Sequence, residues 1–281
     1  MARHFPLART AATGALALLL AACATMTQTT GGAAAQQSVT IEAAAGETGA
    51  LLFTPTGDGP WPAVLLYPDV SGLRPVYAEL GRKLADHGYV VLVPNPFYRS
   101  VALDGSAATA APALPPSETF QRGQEWRALA TDDAVMADAR ALVAWLDRQP
   151  GVDQTAKIGV VGYDIGGAHA FIAARAVPQR IGAVAAVHPT AIATARDTSP
   201  HLFVGQSRAA YLVEIAGPDD AREPEDRGDL VAAFTAAGLS ATVDVVPAAH
   251  GYAVPDQPGH DPAAAAEFFA DLLHLLEQKL R

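Results

Sequence analysis

Short apolar runs alternate with amphipathic stretches along most of this 281-residue chain. Segments 38–42 and 49–53 predict an opening β-hairpin, and six later apolar runs predict buried strands. Between these runs, apolar residues recur at helical spacing, as at Val135, Ala139 and Leu142. Strands that alternate with helices predict an α/β fold, with a mostly parallel central sheet and helices on both faces. The six later strands are predicted at 63–67, 89–93, 157–161, 183–187, 211–215 and 241–246.

Residues that begin or end helices support this pattern. Gly88 and Gly238 follow amphipathic stretches and are typical of C-terminal helix stops. Asp261 followed by Pro262 predicts the N-cap and the first residue of a last helix. Segment 100–116 departs from the pattern, because it is rich in Ala and Pro and has no hydrophobic period. A long loop of this kind either covers a binding site or is a solvated insertion, and the sequence leaves both open.

The first 22 residues resemble an export signal rather than part of the fold. Arg3 and Arg9 precede an apolar run at 15–20, and the tetrapeptide Leu-Ala-Ala-Cys that ends at Cys23 is similar to a bacterial lipobox. This resemblance implies that Cys23 is lipidated and anchors the protein to the cell envelope. The alanine that follows Cys23 is compatible with the outer membrane, facing the periplasm. A plain signal peptide that is cut nearby and an uncleaved anchor are the alternatives.

We predict three parts in the chain: a lipoprotein-type signal peptide at 1–22, a flexible tether at 23–37, and one α/β domain at 38–281. The net charge of −10 argues against nucleic acid and anionic headgroups as partners. No segment after the signal is apolar for long enough to span a bilayer, so membrane contact is expected only through the lipid. Cys23 is the only cysteine, which excludes an internal disulfide. We expect no metal or organic cofactor, and a small-molecule substrate.

The segment 162–167, with the pattern G-x-D-x-G-G, carries the strongest chemical signal. An apolar run precedes it and an Ala-rich helical stretch follows it from Ala168, which is the strand–turn–helix context of a nucleophile elbow. In such a turn the central side chain projects from the top of the sheet. That residue is usually Ser or Cys, and here it is Asp164. An Asp at such a turn is often only a helix N-cap, but a helix that starts later favours the nucleophile interpretation.

An acid and a histidine follow Asp164 in the order that an α/β-hydrolase requires. The pair Asp219 and Asp220 comes after the predicted strand 211–215, and His250 comes after the next strand. The predicted triad is therefore Asp164, Asp220 and His250. His188 also ends a strand and is the main rival for the histidine, although it precedes the acid. A buried structural role for His250 is the other alternative.

Several stretches taken together resemble the dienelactone hydrolase family, from about residue 40 to the C-terminus. No single stretch is decisive, but their joint order and spacing match the family. The elbow fits as well, apart from its nucleophile. The other matching stretches are 67–75, 84–99, 199–201 and 250–256.

The resemblance implies a role for each matching residue. His250 would be the base and Asp220 its orienting acid. Asp220 is preferred to Asp219 because its spacing to Gly217 and Pro224 is the spacing that the family has. The backbone N–H groups of Ile165 and Val70 would form the oxyanion hole. Arg99 would meet an anionic substrate, because guanidinium pairs with carboxylate through two hydrogen bonds, and a structural cap is an equally good interpretation. Further substrate contacts are implied for Asp69 and Tyr163.

Asp164 departs from the family, whose nucleophile is usually Cys. Carboxylate attack on an ester carbonyl would give a high-energy mixed anhydride, whereas carboxylates do attack saturated carbon. Haloalkane dehalogenases and epoxide hydrolases are similar at this turn, but their His-Gly-x-Pro segment is missing here. The leading hypothesis is hydrolysis through an ester on Asp164 that is opened by His250-activated water. The alternative is a degenerate, ligand-binding lipoprotein, because a nearby Asp69 would raise one carboxyl pKa and a protonated Asp164 is a poor nucleophile.

Overall fold

The computed structural model describes residues 33–101 and 116–281. Two antiparallel strands open the domain, β1 (Ala35–Ala43) and β2 (Gly46–Thr54). Six mutually parallel strands follow, namely β3 (Ala63–Tyr67), β4 (Val90–Pro94), β5 (Ile158–Tyr163), β6 (Ile181–Val187), β7 (Ala210–Ala216) and β8 (Ala241–Val246). All eight strands join one sheet in the order β1-β2-β4-β3-β5-β6-β7-β8.

Helices cover both faces of the sheet, and each face has its own apolar core. The core on one face contains Leu142, Ala168 and Phe234, which come from three different helices. The core on the other face contains Tyr77 and Phe268, which come from two further helices. Strands between such layers are buried on both sides, which is why they read as continuous apolar runs in the sequence. The helices are α1 (Pro75–Ala85), α2 (Pro116–Arg127), α3 (Asp132–Leu146), α4 (Ile165–Ala176), α5 (Gly217–Arg222), α6 (Pro224–Ala237) and α7 (Pro262–Leu280).

The predicted fold class is confirmed, since the sheet is mostly parallel and lies between two layers of helices. The helix ends are also confirmed. Gly238 ends α6 with φ 65°, and the Asp261 side chain accepts hydrogen bonds from the first backbone N–H groups of α7. Several strand ends differ from the prediction by one to three residues. Residues 35–37 belong to β1 rather than to a tether, and α4 begins at Ile165 rather than at Ala168.

Three predictions concern residues that lie wholly or mostly outside the described ranges. These are the signal peptide at 1–22, lipidation of Cys23 and the loop at 100–116. Among the helices that the structure describes, none combines the length and the apolarity needed to cross a membrane.

Candidate active site

The turn between β5 and α4 has the geometry of a nucleophile elbow. Asp164 lies there with φ 52° and ψ −119°, a conformation that costs a non-glycine residue backbone strain. A Cβ added to Gly162 would lie 1.9 Å from the carbonyl oxygen of Gly166, and one added to Gly166 would lie 2.6 Å from that of Pro68. Only glycine therefore fits these two positions. The Asp164 side chain makes no N-cap hydrogen bond, so the helix-cap interpretation does not hold.

The carboxylate of Asp164 is held from several sides. Its Oδ2 accepts a hydrogen bond from the backbone N–H of Val70 at 3.2 Å. Its Oδ1 accepts a hydrogen bond from the hydroxyl of Thr190 at 2.8 Å and lies 3.6 Å from Nε2 of His250. Of the two N–H groups expected to form an oxyanion hole, that of Val70 thus bonds the carboxylate of the elbow residue itself, and that of Ile165 is close enough to help lower its pKa.

The ring of His250 is oriented by Asp219. Its Nδ1 lies 2.6 Å from Oδ2 of Asp219, a buried carboxylate that also accepts a hydrogen bond from Arg222 at 2.8 Å. The predicted choice of Asp220 as the triad acid is therefore wrong. Asp219 and Asp220 are adjacent in the first turn of α5, where neighbouring side chains point about 100° apart, so only one of them faces the imidazole.

His188 does not take the place of His250. It is buried after β6, and neither of its ring nitrogens has a hydrogen-bond partner within the described ranges. Its ring packs edge-to-face against that of His250, with 5.0 Å between centroids. Burial, reinforced by the neighbouring charge of His250, lowers the pKa of His188 to about 3. The ring is therefore neutral at physiological pH, and its role is to pack against the ring of His250.

Asp164, His250 and Asp219 form a network of alternating charge. Burial alone would lower the pKa of His250, but the flanking carboxylates of Asp164 and Asp219 outweigh it and raise that pKa to about 10. Burial likewise favours a protonated Asp164, yet His250 and the hydrogen bond from Thr190 lower the pKa of Asp164 overall. The expectation of a protonated Asp164 is therefore not met. The imidazolium form of His250 stands between two carboxylates.

Asp69 is occupied by an internal ion pair. Arg74 donates two hydrogen bonds to its carboxylate and two more to Asp256, and Gln257 donates another to Asp69 at 3.1 Å. Arg74 and Asp69 are both buried. The cluster joins the loop that carries Val70 to the loop that follows His250. It leaves the Asp69 carboxylate engaged within the protein rather than available to a substrate.

Two other predicted substrate contacts have structural roles here. Both terminal nitrogens of the Arg99 guanidinium bond to Asp138 inside α3, so Arg99 is engaged within the protein and is neither a free anion receptor nor a helix cap. Tyr163 is buried on the core face, where its ring packs against Tyr77 and Phe268, so the prediction that it touches substrate is wrong. It lies in β5 with the side chain directed into the core beside α1 and α7.

Sequence reasoning missed Thr190 and Arg74. Thr190 follows β6 in an irregular loop, with no motif to single it out. Arg74 stands in one of the stretches that resemble the family, but one of its two partners, Asp256, is 182 residues away along the chain. Within the described ranges, no group of three or more His, Cys, Asp or Glu side chains is arranged to hold a metal ion.

An elbow nucleophile, an acid and a histidine, in this order along the chain and each after the carboxyl end of a parallel strand, define an α/β-hydrolase. The dienelactone hydrolase family pattern matches residues 48–280, and the chain belongs to this family. Carboxymethylenebutenolidases from Pseudomonas putida and Pseudomonas knackmussii are 28% identical over 141 residues, which is 49% of this chain and 55% of theirs. The match therefore spans about half the length of these curated relatives.

Solved structures share the fold. Dienelactone hydrolase from Anabaena variabilis superposes with a TM-score of 0.62 at 17% identity, over 89% of this chain and 100% of that one. A dienelactone hydrolase-like promiscuous phosphotriesterase from metagenomic libraries superposes with a TM-score of 0.71 at 20% identity, with the same coverage. At these identities the likeness concerns the fold alone.

Proposed function

We propose that the protein is a dienelactone hydrolase-like hydrolase of a small molecule, and that it works through an ester on Asp164. The observation that carries the proposal is the position of the Asp164 carboxylate. It stands at the elbow, with Oδ2 against the Val70 N–H and Oδ1 facing His250. Its lowered pKa keeps it ionised, as a nucleophile must be.

The proposed reaction has two steps. In the first, Oδ1 of Asp164 attacks a saturated carbon of the substrate, and the leaving group departs with the electron pair of the broken bond. In the second, water attacks Cγ of the new ester and gives its proton to His250. The negative charge then develops on Oδ2, where the N–H groups of Val70 and Ile165 stabilise it. The substrate-derived alcohol leaves with a proton from His250, and the carboxylic acid that remains on Asp164 gives its proton to the neutral imidazole, which restores the ion pair.

The charge pattern explains how His250 can act as a base only when it is needed. In the free protein its pKa of about 10 keeps it protonated at neutral pH. Ester formation removes the negative charge of Asp164, which is one of the two charges that raise this pKa. The imidazole then releases its proton more readily and can accept one from water. Its side chain is 40% exposed, so water reaches the ring.

A second candidate function is ligand binding without turnover. The observation that favours it is the ion-pair network itself, because a protonated His250 cannot serve as a base until an ester forms. Because Arg99 is paired with Asp138, it is also not available as the expected receptor for an anionic substrate. Substrate trapping separates the two candidates.

The experiment uses the His250→Gln variant, which can form the ester but cannot activate water. The full-length variant is incubated with a panel of small haloacids, epoxides and lactones, and its intact mass is measured. We expect one member of the panel to increase the mass of the variant, and peptide analysis should map the adduct to Asp164. The double variant Asp164→Asn, His250→Gln should form no adduct. If the folded variant gains no adduct from any member of the panel, the ester mechanism is refuted and ligand binding becomes the better account.

We also propose that the protein is exported and anchored to the cell envelope through a lipid on Cys23, facing the periplasm from the outer membrane. The support is the tetrapeptide before and including Cys23, preceded by a basic and then an apolar segment. Radiolabelled fatty acid should enter the wild type and not Cys23→Ser. Equal labelling of the two proteins would refute the anchor.

A further inference from the structure

The loop that follows β6 brings a hydroxyl group to the elbow residue. Oγ1 of Thr190 donates a hydrogen bond to Oδ1 of Asp164 at 2.8 Å. The backbone N–H of Thr190 donates a second one to the backbone carbonyl of Asp164 at 3.2 Å. Thr190 is half-buried, and Asp164 is buried. The two residues are therefore joined through both side chain and backbone, although they are 26 positions apart in the chain.

Strained backbone flanks this contact. His188 has a φ of 36° and Ala191 a φ of 58°, in the left-handed region that residues other than glycine rarely adopt. Pro189 packs against the first turn of α4, where a Cβ added to Gly167 would lie 2.7 Å from the Pro189 Cβ. Strain of this kind persists only where the surrounding contacts impose it, and it is common at active sites. The fold therefore holds the Thr190 hydroxyl in a fixed place beside Oδ1.

The two oxygens of the Asp164 carboxylate have different partners. Oδ2 accepts the hydrogen bond from the Val70 N–H at 3.2 Å, and Oδ1 accepts the one from Thr190 at 2.8 Å. Nε2 of His250 lies 3.6 Å from Oδ1, which is longer than an ordinary hydrogen bond. The hydroxyl of Thr190 is thus closer to Oδ1 than the imidazole is.

In the ester mechanism proposed above, on which the role of Thr190 rests, the two oxygens have different fates. Attack of water on Cγ places negative charge on Oδ2. When the tetrahedral intermediate collapses, the Cγ–Oδ1 bond breaks and its electron pair stays on Oδ1, which becomes the oxygen of the product alcohol. A fixed donor at Oδ1 stabilises this second charge until a proton from His250 reaches it. The Thr190 hydroxyl is such a donor.

We propose that Thr190 is a catalytic residue of the second step, and that its hydroxyl stabilises Oδ1 as the alcohol leaves the Asp164 ester. Thr190 keeps its own proton, and the proton that the alcohol takes comes from His250. In the first step the charge on Oδ1 decreases as the bond to the substrate carbon forms, so the same hydrogen bond gives no advantage there. Thr190 therefore accelerates the opening of the ester and not its formation.

The nucleophile should stay ionised when the Thr190 hydroxyl is removed. Burial raises the pKa of Asp164, and His250 contributes more than Thr190 to lowering it again. The carboxylate therefore keeps its main source of stabilisation in Thr190→Val, which replaces the hydroxyl by a methyl group. Ester formation should survive this substitution, so the two steps can be measured separately in one variant.

The test follows the ester in single turnovers of the full-length protein with bromoacetate, a haloacid, and styrene oxide, an epoxide. Samples are quenched at successive times, and intact mass gives the fraction of protein that carries the ester. In Thr190→Val the ester should form within about threefold of the wild-type rate. It should decay roughly 10²-fold more slowly, the scale of effect for the loss of one such donor. In the steady state, kcat and KM should fall together, because kcat/KM reports only the steps up to ester formation.

Three further variants complete the test. Thr190→Ala also lacks the hydroxyl and should show the same slow decay, whereas Thr190→Ser keeps it and should recover most of the wild-type rate. Thr194→Val is the matched control, because Thr194 is half-buried in the same loop and its hydroxyl bonds the backbone N–H of Arg196 instead of Asp164. It should form and lose the ester like the wild type.

Two kinds of failure are distinguishable. The role of Thr190 is overturned if the folded Thr190→Val and Thr190→Ala variants open the ester as fast as the wild type. It is also overturned if they form no ester while His250→Gln does, since the hydroxyl would then serve the first step. If His250→Gln gains no adduct from either probe, the ester mechanism itself fails and the role of Thr190 falls with it.

Discussion

Two carboxylates share one imidazole in this site, and their roles differ because of their surroundings. Asp219 contacts Nδ1 of His250 at 2.6 Å, which fixes the orientation of the ring. Asp164 is 3.6 Å from the other ring nitrogen, at a distance that leaves Oδ1 free to move toward a substrate. The orienting acid and the nucleophile are therefore distinguished by geometry, although both are aspartates.

The assignment of Asp219 can be tested with an amide substitution. Asp219→Asn should reduce hydrolytic activity by roughly 10³- to 10⁴-fold, the scale of loss when a triad acid is replaced by its amide. It should also lower the pKa of His250, since one of the two flanking charges is removed. Steady-state kinetics and an NMR titration of the ring measure the two effects. Asp220→Asn is the matched control, and an equal loss in both variants would contradict the assignment.

The protonation of His250 should appear in the pH dependence of stability. Its pKa is about 10 in the folded protein and near its ordinary 6.5 in the unfolded chain, so its contribution is complete below pH 6.5 and is lost as the pH rises toward 10. The wild type should thus lose its advantage in unfolding free energy over His250→Gln across that window. The effect is modest because the ring is partly exposed and its charge is screened. Denaturant titrations at pH 6.5 and 10 measure it, and a difference that grows with pH would contradict the ion pair.

At the residue scale, sequence could identify Asp164 and His250 because each follows an apolar strand in the required order. It could not choose between Asp219 and Asp220, since that choice depends on how α5 is rotated against β8. Nor could it find the contacts of Arg74 with Asp256, of Arg99 with Asp138 or of the Asp164 carboxylate with Val70, because these contacts join segments that are distant along the chain.

At the element scale, the elbow depends on a close approach of backbone to backbone. The Cβ of an Ala at position 162 would overlap the carbonyl oxygen of Gly166, which belongs to α4 and cannot move without displacing the helix. The strand and the helix therefore meet through bare backbone at this turn. A second close contact, of Gly166 with the backbone of Tyr67 and Pro68, fixes where the nucleophile stands relative to β3.

A pair of glycine substitutions tests how tight this backbone contact between β5 and α4 is. Gly162→Ala should lower the free energy of unfolding by at least about 3 kcal/mol, because the overlap is with backbone and cannot relax cheaply. Gly228 lies in an exposed part of α6 with open space around it. Gly228→Ala should therefore raise the free energy of unfolding by about 0.5–1 kcal/mol. Chemical denaturation of the two variants is the measurement. A loss below 1 kcal/mol in Gly162→Ala would contradict the proposed contact.

All eight predicted strands are present. The inner strands were predictable because burial on both faces leaves a continuous apolar run, whereas the edge strands β1 and β8 are largely exposed. Two helices were not predicted, for physical reasons. The short α5 contains the sequence Gly-Pro-Asp-Asp, which is more typical of a turn, and α2 is polar with little apolar periodicity. Such helices form because of their tertiary neighbours rather than their own pattern.

At the scale of the whole molecule, Arg74 connects segments that are 182 residues apart in the chain. It binds Asp69 in the loop after β3 and Asp256 in the loop after His250. The first loop carries the Val70 N–H and the second follows the triad histidine. One buried guanidinium thus holds together the two loops on which the proposed second step depends.

Removing this guanidinium should affect stability and activity together. Arg74→Met leaves two carboxylates without their partner and should lower the free energy of unfolding by about 3 kcal/mol. Hydrolytic activity should fall as well, because Val70 and His250 are no longer held in place together. Arg148, an exposed arginine just after α3, provides the control. Arg148→Met should change the free energy of unfolding by less than about 0.5 kcal/mol. Equal stabilities of the two variants in denaturant titrations would show that the cluster contributes nothing.

The strained backbone at position 164 has a consequence for how such a protein can evolve. The φ of 52° is imposed by the glycines and by the packing of β5 against α4, and not by the side chain at the centre of the turn. The conformational cost is therefore nearly the same for any non-glycine residue there. A lineage can exchange a thiol for a carboxylate by one amino-acid substitution, and inherit a new chemistry without rebuilding the scaffold around it.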